Sequence, residues 1–102
     1  GVEAQMESAV AFALSAALHG RITMKDGRVE QSNFGDYPIL RFSEVPAIEV
    51  HIVASTSPSL GAGEASLGPT AAAIANALFD ALGLRVRDLP FTAERIVAAM
   101  GP

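Results

Sequence analysis

The 102-residue sequence predicts an α+β fold: a small antiparallel or mixed sheet with helices packed on it, in the order α–β–β–β–α–α. Three observations carry that expectation. Apolar residues recur at helical spacing from Gln5 to Leu18. An Asp26-Gly27 pair divides two alternating runs, as a tight hairpin requires. A glycine-rich loop, Gly61 to Gly68, opens onto a second, nearly uncharged helix from Thr70 to Leu82. The length suits one domain, residues 1–102, with a single modest core.

In the first helix Met6, Val10, Ala13, Leu14, Ala17 and Leu18 form one apolar face. The opposite face, Ser8, Phe12, Ser15 and His19, is small and almost free of charge, the pattern of a helix buried on all sides. Gly20 ends it. In the hairpin, pairing Lys25 with Arg28 sets Met24 opposite Val29 on one face. Phe34 to Pro46 is irregular, because Gly35-Asp36, Pro38 and Pro46 interrupt any ladder, with room only for a short strand at Ile39–Phe42. Ala47 to Val53 alternates, Ile48, Val50 and Ile52 against Glu49 and His51, and reads as a half-buried third strand. Ser55 to Ser59 is a polar linker. In the second helix Ile74, Leu78 and Leu82 form the stripe, Pro69 suits the first turn, and Gly83 suits the C-terminal stop. Thr92 caps a closing helix, Ala93–Met100. Two helices so poor in charge exceed what one small sheet can cover. The excess apolar surface implies a partner, either other domains of a parent protein or a second copy of this chain.

Composition excludes several function classes. Half of the residues are hydrophobic and 18% are charged, below the ~25% of an average domain. The net charge of −4, without a basic run, argues against a nucleic-acid partner. No cysteine is present, so the chain holds no disulfide, thiolate zinc site or iron–sulfur cluster, and the compartment stays open. The longest uncharged runs, Ser8–Leu18 and Ala65–Phe79, fall short of the ~20 apolar residues of a membrane span. A first residue Gly1 in place of methionine suggests a piece of something longer.

Glu64 is the one acid in the glycine loop, and no charge follows it from Ala65 to Phe79. Such a carboxylate either does chemistry or answers the positive end of the helix dipole. Gly61, Gly63 and Gly68 would let the loop approach a ligand closely. The run is neither a dinucleotide fingerprint nor a Walker loop: the third glycine and the βαβ context are missing, as is Gly-Lys-Ser/Thr. His19 and His51 lack partners at metal-ligand spacing, and Ser66 has no histidine near it in sequence to make it a nucleophile. Glu44 and Glu49 read as solvated. Gln5 is either an amide that bonds a ligand or an exposed first-turn residue. Arg85 and Arg87 answer the C-terminal end of the preceding helix dipole.

Three stretches carry a family resemblance. Gly63-Glu64 with the run Ala73 to Pro90 resembles the end of the molybdopterin-binding large subunit of the xanthine dehydrogenase and aldehyde oxidoreductase family, and most resembles the isoquinoline 1-oxidoreductase beta-subunit type. Gln31 to Arg41 with Glu49 to Val53, and Gln5-Met-Glu7, are similar to the same group, so the likeness runs the length of the chain. It implies that Glu64 is the active-site base beside molybdenum. That base takes a proton from the water-derived oxygen that attacks an electron-poor carbon of an aldehyde or N-heterocycle. A carboxylate in a water-poor pocket is suited to that work, since desolvation raises its proton affinity. It further implies that Gln5, Gly61 and Gly63 contact a molybdenum–molybdopterin cofactor, in its cytosine dinucleotide form, with no metal ligand from this chain. The partners implied are the remainder of the large subunit and an iron–sulfur subunit that removes electrons.

Two departures are local: Ala65 stands where the family usually has proline, and Ser8-Ala9 where it often has Gly-Gly. A third is one of scale, because the family's subunit is several-fold longer. The isolated chain is therefore expected to hold no cofactor and to be inactive. The competing expectation is a non-catalytic domain, or an orphan fragment without cofactor, that self-associates as a homodimer through its uncharged helices.

Overall fold

A computed structural model describes all residues, Gly1–Pro102. Its elements are α1 (Val2–His19), β1 (Met24–Lys25), β2 (Arg28–Val29), a 3-10 turn at Phe42–Glu44, α2 (Leu67–Leu82) and α3 (Ala93–Met100). The class is α+β, as predicted, but the arrangement differs. The sheet has only the two hairpin strands, and the helices pack on each other, α1 against α2, with no helix on the sheet.

The hairpin register is the expected one, Met24 opposite Val29 and Lys25 opposite Arg28. Asp26 and Gly27 both take positive φ, 49° and 73°, which is what a type I′ turn needs. Past the ladder, Thr23 and Gln31 continue the pairing through side chains: the Thr23 N–H donates to Gln31 Oε1, and Gln31 Nε2 donates to Thr23 Oγ1, each at 2.8 Å.

The third strand does not form. Ala47–Val53 makes no ladder because no strand of this chain lies beside it. Its alternation survives in part: Ile48 and Val50 are half-buried while Glu49 and His51 are exposed. Ile48 borders α1, sharing a concavity with Ala4, Glu7, Ser8 and Ala11. Ile39–Phe42 also makes no strand. The Leu40 N–H donates instead to Ser15 Oγ at 2.9 Å, tying this segment to α1. Glu44 then accepts from the Arg41 N–H at 2.7 Å and closes the 3-10 turn, so it is not merely a solvated charge.

α2 starts three residues earlier than the sequence suggests. Pro69 still lies within the first turn, where its missing N–H leaves no bond unmade. Gly83 ends the helix in the left-handed conformation, φ 68°, with its N–H on Phe79 O at 2.8 Å. Thr92 caps α3 by accepting from the Arg95 N–H.

The core sits at the C-terminal end of α1. Ala17, only 1% exposed, meets Val86 and Phe91, with Leu18, Ala71, Ile74, Ala75 and Leu78 packed around them. The Phe91 N–H donates to the Ala17 carbonyl at 2.7 Å, satisfying one of the acceptors that a helix end leaves free. Gly20 is needed here because a Cβ would stand 2.8 Å from Ala16 O.

That core is small. Six of 102 residues are buried, and the radius of gyration is 16.3 Å, against ~13 Å for a compact chain of this length. α1 is not buried on all sides: Ala9, Ala13 and Ala17 are covered, yet Phe12 is 70% exposed. Phe42 (96%) and Leu60 (99%) are almost bare. The expected excess of apolar surface is therefore present, and this chain does not cover it.

Candidate active site

The N-terminal turns of α1 and the loop before α2 meet at one end of the helix pair. Ser66 occupies the N-cap position of α2, but its hydroxyl donates to the Met6 carbonyl at 3.4 Å and caps nothing. Its own carbonyl accepts from the Thr70 N–H at 3.2 Å and from Thr70 Oγ1 at 2.6 Å. These bonds fasten the glycine loop to α1. Gln5 lies against the loop, so that a Cβ at Gly63 would stand 3.9 Å from Gln5 Oε1. Gly61 has φ 95°, a conformation that side chains rarely adopt.

Glu64 sits just ahead of α2, and its carbonyl accepts from the Leu67 N–H at 3.1 Å. Its side chain is exposed, and no hydrogen bond or ion pair within the chain involves its carboxylate. That carboxylate makes no hydrogen bond to the N–H groups of the first turn of α2. Glu64 lines none of the five principal concavities either. The chain thus brings Gln5 beside Gly63, with Gly61 and the exposed Glu64 on the same loop. It builds no pocket over them. The Gln5 amide is exposed and unspent, and the glycine backbone beside it is open. That set fits a group held from outside the chain by an amide and main-chain atoms. No cluster of three His, Cys, Asp or Glu side chains could grip a metal ion.

The remaining polar residues do structural work. His19 Nε2 is buried 3.4 Å from Glu44 Oε1, close enough for an ion pair but out of hydrogen-bonding alignment. His51 and Glu49, 3.7 Å apart, are both exposed. Asp36 accepts from the Asn33 N–H at 2.9 Å and from the Ser32 N–H at 3.0 Å. These bonds, the one from Asn33 first, hold its carboxyl below the usual range. Arg85 donates to Asn76 Oδ1 at 2.8 Å and stacks 4.0 Å over the Phe79 ring, a more specific role than answering a helix dipole. Sequence reasoning missed Met6, whose contribution is a main-chain carbonyl. No side-chain pattern announces such an acceptor.

No family model matches the chain. It is 44% identical over 102 residues to a nicotinate dehydrogenase subunit from Pseudomonas putida, covering 99% of this chain and 9% of that protein. It is 40% identical over 89 residues to the beta subunit of isoquinoline 1-oxidoreductase from Brevundimonas diminuta, with 87% of this chain and 11% of that one covered. The aldehyde oxidoreductase molybdenum-binding subunit of Escherichia coli K12 is 31% identical over 101 residues, covering 91% of this chain and 14% of that subunit. Among solved structures, quinoline 2-oxidoreductase from Pseudomonas putida 86 superposes with a TM-score of 0.81 at 26% identity, over 97% of this chain and 14% of that chain. The chain therefore spans about a tenth of the length of the relatives it matches. No helix is long and apolar enough to cross a membrane. Sequence and fold agree, over nearly every residue: this chain belongs, as a short segment, to the molybdenum-binding subunits of the xanthine dehydrogenase family.

Proposed function

We propose that this chain is the part of a molybdenum hydroxylase that supplies the proton-accepting carboxylate, Glu64, for oxidation of an N-heterocycle or aldehyde. The observation that carries the reading is an acid left free of every internal partner, on a glycine loop that the Ser66–Met6 bond fastens beside Gln5. A molybdenum–pterin group, when bound, supplies the redox chemistry; the cytosine dinucleotide form is the one proposed. The chain's own part is narrower. The Gln5 amide bonds and orients the cofactor's polar edge, Gly61 and Gly63 allow the main chain to come close, and Glu64 accepts a proton at its carboxylate. The remainder of the large subunit, of which this chain forms the C-terminal part, covers the surface and excludes water. Excluding water makes a carboxylate a better base, because desolvation penalises its charged form. An iron–sulfur subunit removes the electrons. Without these companions the chain holds no cofactor and has no turnover.

The test is reconstitution of the chain with the remaining large-subunit segment. Glu64→Gln should lower kcat by about 10²- to 10⁴-fold, the range typical of a lost general base, with cofactor content unchanged. Turnover within about tenfold of wild type would remove the assignment.

The bare apolar side chains support a second reading, self-association of the chain without chemistry. Gel filtration with metal analysis separates the two descriptions of the isolated molecule: a stable metal-free dimer is the outcome specific to the second.

A further inference from the structure

Three of the chain's seven Lys and Arg residues, Arg85, Arg87 and Arg95, line one open concavity of about 600 Å³. They share it with Val86, Asp88 and the small side chains of Ala98 and Ala99. Linear order hides this grouping: Arg85 and Arg87 follow α2, whereas Arg95 lies on α3, and the turn through Phe91 folds one segment against the other.

We propose that this concavity is an oxyanion-binding site, taking phosphate or carboxylate groups. Neither ion pair of the chain involves any of the three guanidinium groups. Two of them are held in place without being neutralised. Arg85 is fixed by Asn76 and the Phe79 ring, and Arg95 donates to the Leu89 carbonyl. Both of those oxygen acceptors are uncharged, so the positive charge stays available and the remaining N–H donors stay free. Arg87 makes no side-chain bond at all and can swing onto a ligand. Guanidinium groups suit planar or tetrahedral oxyanions because their N–H groups bond in pairs. Three arginines and one acid, Asp88, border the concavity, a local excess of positive residues within a chain of net charge −4. A concave wall focuses that local field on an anion. Ala98 and Ala99 leave room for the ligand. The proposal does not depend on Glu64, which lies outside this concavity.

The test is a titration of the isotope-labelled 102-residue chain with inorganic phosphate, with chloride adjusted to constant ionic strength. Magnetic resonance reads the arginine side-chain N–H groups and the amides of residues 85–88 and 95–99. Saturable shifts confined to those groups are expected. Arg87→Gln should weaken the midpoint by about fivefold or more, Asp88→Asn should tighten it, and Arg28→Gln on the hairpin should leave it unchanged. That opposite pair of signs is not what a merely structural role produces. A parallel titration with hexaglutamate tells the source apart: tighter binding of the peptide points to carboxylates of a neighbouring polypeptide, tighter binding of phosphate to a phosphate-bearing small molecule. Shifts that never saturate with either probe, or a midpoint indifferent to Arg87→Gln, overturn the proposal.

Discussion

The two ends of α1 are built in opposite ways. At its C-terminal end Ala17 is sealed under Val86 and Phe91, and Phe91 returns a hydrogen bond to the helix. At its N-terminal end Gln5 and Glu64 stand exposed, beside the hydrogen bond from Ser66 to Met6. The closed end uses apolar area and a satisfied carbonyl, which stabilise the fold from within. The open end keeps an amide and a carboxylate unspent, which contributes nothing to stability and suits a surface that other atoms complete. The contrast teaches that this chain anchors itself at one end and leaves polar groups unpartnered at the other.

The largest expected effect breaks the contrast from the open end. Glu64→Gln, which should cut turnover of the reconstituted enzyme, should leave the thermal stability of the chain within about 0.5 kcal/mol, since an exposed side chain without partners loses nothing on substitution. At the closed end Phe91→Ala should destabilise by about 3 kcal/mol, measured by urea unfolding, because the ring's removal leaves a cavity against Ala17 and Val86. Thr92→Ala, one residue on, should cost about 1 kcal/mol in the same assay through loss of the bond to the Arg95 N–H.

The smallest effect lies away from both ends, in the loop at Asp36. Its folded pKa is lowered by the Asn33 and Ser32 N–H groups. The bonds are therefore fully present above the unfolded carboxylate value, about 3.9, and are lost as pH falls through the lowered one. Exchange protection of the Ser32 and Asn33 amides should follow that acid limb, and Asp36→Asn should abolish its pH dependence.

Much of the architecture could be read directly from the residues. Asp26-Gly27 dictated the hairpin and its register because only a narrow set of dihedrals closes so short a turn. Gly83 and Thr92 marked helix boundaries, since a left-handed stop and a hydroxyl cap depend on one residue and its immediate neighbours. The family likeness was legible too, and the relatives bear it out. The third strand was not: alternation at Ile48 and Val50 records a face to be covered, and it cannot say whether a strand lies alongside.

Local chemistry thus determined the turns, the caps and the apolar helix faces, because each rests on a few adjacent residues. Only the tertiary structure decided which ends of those helices close and which stay open. It alone brought Gln5 to Gly63, Ser66 to Met6, and Arg95 to Arg85 and Arg87. The physical reason is that these meetings depend on how α1 packs against α2 and on the path the chain takes between them, and neither is written in any local run of residues.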